Sequence, residues 1–73
     1  MGDGAMTGVV KRVFRSGYGF IRGEDRTDFF FHVDDVEDFL TLAEDDRVVF
    51  EPMVPQPERG PRALRVALLA GGG

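Results

Sequence analysis

The feature that most limits the fold is a series of short extended segments separated by turn residues, with almost no helical periodicity between them. Five segments are predicted, at residues 7–14, 17–22, 28–33, 47–53 and 63–69. Between the third and fourth segments the sequence indicates only one helical turn, with Asp34 as its cap and Glu37 reaching back to that cap. Residues 52–61 contain too many prolines for a central strand and predict a semi-rigid hairpin loop.

Five short strands would leave sheet edges on which an all-β chain aggregates, and closure into a barrel removes those edges. We therefore predict an all-β fold, a small five-stranded antiparallel OB-like barrel with one short helical turn. A chain of 73 residues buries roughly 60% of its unfolded surface. Because it has no cysteine, neither disulfides nor thiolate zinc sites supplement the core. A large enclosed active site is not expected.

Both ends of the chain are glycine-rich and lack periodicity. We expect residues 1–5 to be a disordered N-terminal leader or a cloning remnant, residues 6–69 to form the barrel, and residues 70–73 to be a flexible tail. No apolar stretch approaches the roughly 20 residues that cross a bilayer, and the N-terminus has no basic region followed by an apolar one. These features predict a cytoplasmic protein with no membrane partner.

The formal net charge of −4 argues against nucleic-acid binding by bulk electrostatics, but the charges are unevenly distributed. Residues 1–33 contain five basic and four acidic side chains, whereas residues 34–51 contain eight acids and one arginine. The acidic run after residue 33 lacks the loop glycine and ligand spacing of a calcium site. A solvated acidic turn is the simpler interpretation.

Two aromatic runs, SGYGFIR at 16–22 and FFFHV at 29–33, occupy the second and third segments. Since alternate residues of a strand face opposite sides of a sheet, Tyr18 and Phe20 share one face. Phe30 and His32 likewise share a face, and the two phenylalanines that flank Phe30 share the other. One set fills the core, and alternation alone does not tell which.

The run SGYGFIRGED followed by DFFFHV resembles the two ribonucleoprotein motifs of cold-shock domains, K-G-F-G-F-I and V-F-V-H-F. The order and spacing agree with that family. The resemblance extends from TGVVK at 7–11 through DFLTL at 38–42 and RVVFE at 47–51 to GPRA at 60–63, which covers most of the chain.

The resemblance implies an exposed surface on which unpaired bases stack. Its positions, called the aromatic platform below, are Tyr18, Phe20, Phe30 and His32. The other two rings of the third segment, Phe29 and Phe31, then belong to the core. Stacking of a base on an aromatic ring is worth roughly 1 to 3 kcal/mol. Gly17 and Gly19 are expected to let the strand curve and a base approach the backbone.

Two departures from the family pattern affect the first strand. Arg12 stands where the family has a stacking tryptophan, and a guanidinium plane both stacks on bases and attracts phosphate. The turn before Ser16 is one residue shorter than usual, so Phe14 falls either on the platform or in the core. The sequence leaves both placements open.

Other departures change the charge and size of the predicted site. Ser16 and Val33 replace a lysine and an aromatic residue of the family, which makes the platform smaller and less cationic. Arg62 replaces a glutamine at the last hairpin and adds charge near the platform. Phe39 is a further stacking candidate, but the carboxylates of its loop repel phosphate.

We therefore predict a non-catalytic binder of single-stranded RNA or DNA, similar to an RNA chaperone, without cofactor, metal or small-molecule substrate. The predicted nucleic-acid-binding residues are Lys11, Arg12, Phe14, Tyr18, Phe20, Phe30, His32, Phe39 and Arg62. A monomer is expected, with dimerisation through sheet edges or loops as the other possibility. The alternative function is an OB-like protein-interaction module in which the reduced platform is an apolar interface. A nuclease is a third class, although no nucleophile sits beside a recognisable base.

Overall fold

A computed structural model describes residues 5–53 and 60–69, and within these ranges the chain forms five strands and two single 3₁₀ turns. The strands are β1 (Met6–Phe14), β2 (Tyr18–Gly23), β3 (Asp28–His32), β4 (Arg47–Met53) and β5 (Arg62–Leu68). Every predicted strand boundary lies within one residue of the observed one. The predicted ends at 1–4 and 70–73, and residues 54–59 of the proline loop, lie outside the described residues.

The strands form a closed barrel in the order β1-β2-β3-β5-β4, with β4 paired back to β1. The predicted all-β OB-like barrel is confirmed. The β3–β5 pair is parallel, with Phe30 opposite Arg62, and a further parallel bridge joins Val36 to Val66. A closed ring of five strands cannot be antiparallel throughout, because the directions alternate around the ring and five is odd. The antiparallel description therefore holds for every pair but this one.

The core is entirely apolar, since no polar or charged side chain of the described residues is buried. The two inner rings of β3 belong to it, which confirms the predicted inward placement of Phe29 and Phe31. The buried set comprises Val10, Ile21, Phe29, Phe31, Leu42, Val48, Phe50, Ala63 and Val66. Packing of these side chains is the main source of stability, because burial of each large apolar side chain contributes about 1.5 to 3 kcal/mol.

A β-bulge in β1 decides which side chains of that strand reach the surface. The register with β2 shifts between Val10 and Arg12, which makes Lys11 the extra residue. By simple alternation Val10 and Arg12 would share a face. With the bulge, Val10 is fully buried and Arg12 is exposed. Phe14, two residues further on, lies on the same outer face as Arg12.

The segment between β3 and β4 contains two 3₁₀ turns, Val33–Asp35 and Phe39–Thr41, rather than the one predicted. The predicted capping residues were wrong. His32, the last residue of β3, is the N-cap of the first turn. The Asp35 side chain reaches back to it by accepting the His32 N–H at 2.9 Å. The turn starts directly where the strand ends, so the whole capping arrangement lies two residues earlier than expected.

No helix in residues 5–53 or 60–69 is both long and apolar enough to span a lipid bilayer.

Candidate nucleic-acid interface

The platform residues meet on the outer face of β2 and β3. Tyr18 lies opposite His32 and Phe20 opposite Phe30 in the pairing of the two strands. The ring centroids of Tyr18 and Phe20 are 6.3 Å apart, those of Phe20 and Phe30 5.9 Å, and those of Tyr18 and Phe30 5.9 Å. Phe20, at 37% exposure, is the most exposed of the three phenyl and phenol rings. The sequence therefore predicted correctly which rings share a surface.

Phe14 extends the platform with a further ring. It lies opposite Tyr18 across the β1–β2 ladder, and the two rings stack with centroids 4.7 Å apart and an interplanar angle of 22°. Of the two placements that the sequence left open, the structure has the platform side. Tyr18 thus has a neighbouring ring on the strand to either side, Phe14 on β1 and Phe30 on β3.

Arg12 borders the same surface. It lies opposite Phe20, and its guanidinium carbon is 5.7 Å from the centroid of the Phe14 ring. At that distance the cation is attracted by the ring face. The Arg12 side chain therefore occupies the edge of the platform where the family pattern has a tryptophan, and it presents both a flat group and a positive charge.

Gly19 lacks a side chain for a reason on the inner face. A Cβ at Gly19 would lie 2.5 Å from Cζ of Phe31 and closer still to the Arg12 carbonyl oxygen. The expectation that this glycine admits a base to the backbone was wrong, because the missing side chain leaves room for a core ring. Gly17 serves the turn between β1 and β2. Its φ is +118°, a conformation that favours glycine, and its N–H donates to the Phe14 carbonyl at 2.9 Å.

The ring of His32 is oriented by its own turn. Its Nδ1 accepts the Asp34 N–H at 3.2 Å. A nitrogen that accepts a hydrogen bond carries no proton, so in the neutral ring the proton is on Nε2. The His32 side chain is about half exposed, so this Nε2–H is a donor available to a ligand lying on the platform. The Asp34 carboxylate lies 3.6 Å from the same Nδ1.

Arg62 is held by an ion pair that the sequence did not predict. Its Nε and Nη2 donate to the Asp35 carboxylate at 3.1 and 3.4 Å, and the closest Nη2–oxygen distance is 3.0 Å. The Asp35 side chain is only 10% exposed. Asp35 thus fixes both Arg62 and the backbone of His32, beside Phe30. The only signal in the sequence was the acidic run, from which this residue could not be singled out.

Phe39 and Lys11 lie outside the group of contacting rings. The Phe39 ring packs against the core and meets the buried Phe31 at a centroid distance of 6.4 Å. Among the described rings, its partner is thus a core residue rather than a platform residue. Lys11 is exposed at the β1 bulge, next to Arg12. Of the predicted site residues, the structure groups all but these two around the platform.

This arrangement suits binding by stacking better than chemistry. Exposed aromatic rings are a liability on a small monomer unless a ligand covers them, and each base offers a flat face to such rings. The surface also carries one oriented N–H donor, on His32, and cations at one edge. The part of the surface that these described residues form is an open sheet face.

A five-stranded OB-like barrel with aromatic rings exposed on β2 and β3 is the architecture of a small nucleic-acid-binding domain. The model of the 'Cold-shock' DNA-binding domain family matches residues 6–69. The chain therefore belongs to the cold-shock domain family. Members of this family bind single-stranded nucleic acids and are generally non-catalytic.

Individual relatives agree with this assignment. The chain is 42% identical over 52 residues to Cold shock protein 2 of Lactiplantibacillus plantarum, which corresponds to 68% of this chain and 76% of that protein. Cold shock protein 1 of the same organism matches to the same extent. Among solved structures, Drosophila Unr CSD456 is similar with a TM-score of 0.74 and 28% identity. The match covers 96% of this chain and 29% of that one, so this chain corresponds to a fraction of that longer protein.

Proposed function

We propose that this protein binds single-stranded RNA or DNA without catalysing a reaction, with bases stacked on the outer face of β2 and β3. One observation carries the proposal. Tyr18, Phe20 and Phe30 contact one another on the outer face, although the fold already has a complete apolar core beneath them. Rings that the core does not need are explained by a ligand that stacks on them.

The bound state would act as an RNA chaperone by mass action. Bases held on the platform cannot pair, so binding shifts the equilibrium of a weak hairpin toward the open form. The gain per stacked base, roughly 1 to 3 kcal/mol, is comparable to the free energy of one base-pair step, about 1.4 kcal/mol on average for DNA. Weak structures are opened in this way without ATP, and long duplexes are not.

The net charge around the platform is small, and this shapes the expected binding. Arg12 is exposed, whereas Arg62 is compensated by Asp35 and His32 lies beside the carboxylate of Asp34. Binding through the platform therefore depends mainly on stacking, with a gentler salt dependence than that of a strongly basic protein. We infer that the protein does this as a monomer.

Titration of the full chain with single-stranded and duplex oligonucleotides at about 0.1 M salt tests the proposal. Pyrimidine-rich and purine-rich strands should bind, and a matched duplex should not, because its bases are already stacked and paired. Tyr18 is the only tyrosine in a chain without tryptophan, so its emission reports on the platform and should fall on binding. Anisotropy of a labelled strand supplies an independent readout.

Four results would contradict the proposal. Equal affinity for duplex and single strand would remove the stacking mechanism. Tight binding with unchanged Tyr18 emission would place the contact on another surface. Absence of binding by the folded protein would favour the protein-interaction alternative, and cleavage of the strand on addition of magnesium would indicate a nuclease.

A further inference from the structure

A groove on the same outer sheet surface lies beyond the end of the platform, where the rings give way to cations. It crosses β1 at Val9, which pairs with Arg22 of β2 on one side and with Arg47 of β4 on the other. Lys11, the bulged residue, lines the groove next to them. Thr7, Gly8, Gly23 and Glu24 complete its lining.

The register places this groove directly beside the platform. Arg22 follows Phe20 by two residues on β2, so both lie on the outer face about 6.6 Å apart along the strand. The row of paired residues that contains Arg22 and Arg47 is therefore next to the row that contains Phe20 and Phe30. A strand stacked on these rings and continuing across the sheet in that direction enters the groove.

The cations of the groove have donors to spare. Within residues 5–53 and 60–69, neither Lys11 nor Arg47 lies within ion-pair distance of a carboxylate. Arg22 gives its Nε to Asp28 at 3.0 Å, and this pairing leaves its terminal nitrogens for another acceptor. Glu24 is the one acid of the lining, and its Oε1 accepts the Thr7 hydroxyl at 3.3 Å. The groove thus has an excess of positive charge on a protein whose net charge is −4.

We propose that this groove is a phosphodiester subsite for the segment of single strand that runs off the platform, with Arg47, Lys11 and Arg22 contacting its phosphates. The inference rests on the proposed function. It extends that function by dividing the surface into two parts. The ring-lined part binds bases, and the cationic part binds only the sugar–phosphate backbone of the nucleic acid. Val9, which lies between Arg22 and Arg47, and Thr7 offer no ring on which a base would stack.

Arg47→Gln is the variant that tests the subsite, since Arg47 is exposed at the start of β4 and β1 separates it from the ring-bearing strand β2. Arg65→Gln is the matched control. It makes the same charge change at an exposed strand residue that does not line the groove. Each form is titrated over a range of salt with a short strand of about four nucleotides and a long one of about ten, sizes within the range for one OB fold.

For the long strand, Arg47→Gln should reduce the magnitude of the salt slope by about 0.7, the value for one phosphate contact to a single strand. If the two forms bind equally at about 1 M salt, this difference in slope makes Arg47→Gln bind the long strand about eightfold more weakly at about 50 mM salt. The short strand, which covers only the platform, should bind with unchanged affinity and slope. Arg65→Gln should bind both strands as the unchanged protein does.

The possible failures are distinguishable. If Arg47→Gln leaves long-strand binding unchanged while Tyr18 emission is still quenched, the subsite is overturned and the proposed function stands. If it weakens short and long strands equally, or no more than Arg65→Gln does, the effect is one of overall charge and the subsite is again overturned. If no folded form binds either strand, both proposals fall together.

Discussion

Strand β3 carries three consecutive phenylalanines, of which Phe29 and Phe31 are 4% and 0% exposed whereas Phe30 faces outward beside Tyr18 and Phe20. Phe31 is fixed by the fold, because it fills the space over Gly19. Phe30 fills no such space in the core. Composition alone therefore does not reveal a binding surface, whereas rings that lie where the core does not require them reveal one.

The largest expected effect is on the inner face. Phe31→Ala should reduce the free energy of unfolding by about 3 to 5 kcal/mol, because it opens a cavity in a close-packed core. A domain of this size is stable by roughly that amount, so the variant is expected to be largely unfolded at 25 °C. Urea denaturation followed by circular dichroism measures this, with Phe31→Leu as a milder control. A folded variant that loses less than about 1 kcal/mol would mean that Phe31 is not an essential part of the core.

Replacement of Phe30, the outward ring of β3, should reduce binding more than stability. Phe30→Ala should weaken single-strand binding by roughly 1 to 3 kcal/mol, the contribution of one stacked base. Its stability should fall by about 1 kcal/mol, since it loses ring–ring contacts rather than a buried site. Oligonucleotide titration is interpreted only after circular dichroism shows a folded variant.

Leu68→Ala is the matched control for Phe30→Ala, because Leu68 is an exposed apolar side chain on β5, away from the platform. It should bind single strands as the unchanged protein does. If Phe30→Ala unfolds the domain, Phe30 is needed for the fold, and β3 does not have one face for the core and another for binding. If both variants lose binding equally, exposed apolar area rather than stacking is responsible.

The prediction of which β3 rings lie inside required two kinds of information together. Strand alternation separated Phe30 from its two neighbours, and the resemblance to cold-shock domains chose the outward set. The strand positions followed from local signals, turn residues and short apolar runs, which act within a few residues. These are the features that depend least on the rest of the chain.

The β1 bulge and the ion pair were not predictable from such local signals. Val10 and Arg12 have the same parity in the sequence, and they face opposite sides only because β2 and the core fix the register around Lys11. Arg62 and Asp35 are 27 residues apart, and they meet because the strand order of the closed barrel places β5 beside β3. Both features depend on the closed topology rather than on neighbouring residues.

The Arg62–Asp35 ion pair predicts a smaller effect that sharpens the contrast between charge and stacking. Arg62→Gln should lower stability by roughly 1.5 kcal/mol, near the lower end for a hydrogen bond to a charged group, because glutamine retains one donor for Asp35. The salt slope of binding should change by less than 0.7, the value for one phosphate contact, since Asp35 already compensates the charge. Denaturation and salt-dependent titration measure the two quantities. A slope change of 0.7 or more, with stability unchanged, would show that Arg62 contacts phosphate directly.

The smallest expected effect concerns Arg12, which borders the outer face where the family pattern has tryptophan. Arg12→Trp should tighten single-strand binding by up to about fivefold, roughly 1 kcal/mol, because a full stacking surface replaces a guanidinium that stacks only partly. Binding should also become less sensitive to salt, since a cation is lost. Calorimetry is the suitable measurement because the new tryptophan would obscure Tyr18 emission.

Arg12→Gln, which removes the charge without adding a ring, should instead bind more weakly with the same reduced salt slope. Weaker binding by both variants would mean that the Arg12 charge matters more than the ring surface at this edge. The combination with Phe14→Ala then shows whether Phe14 already fills the stacking position, because in that case removing Phe14 restores the benefit of the tryptophan.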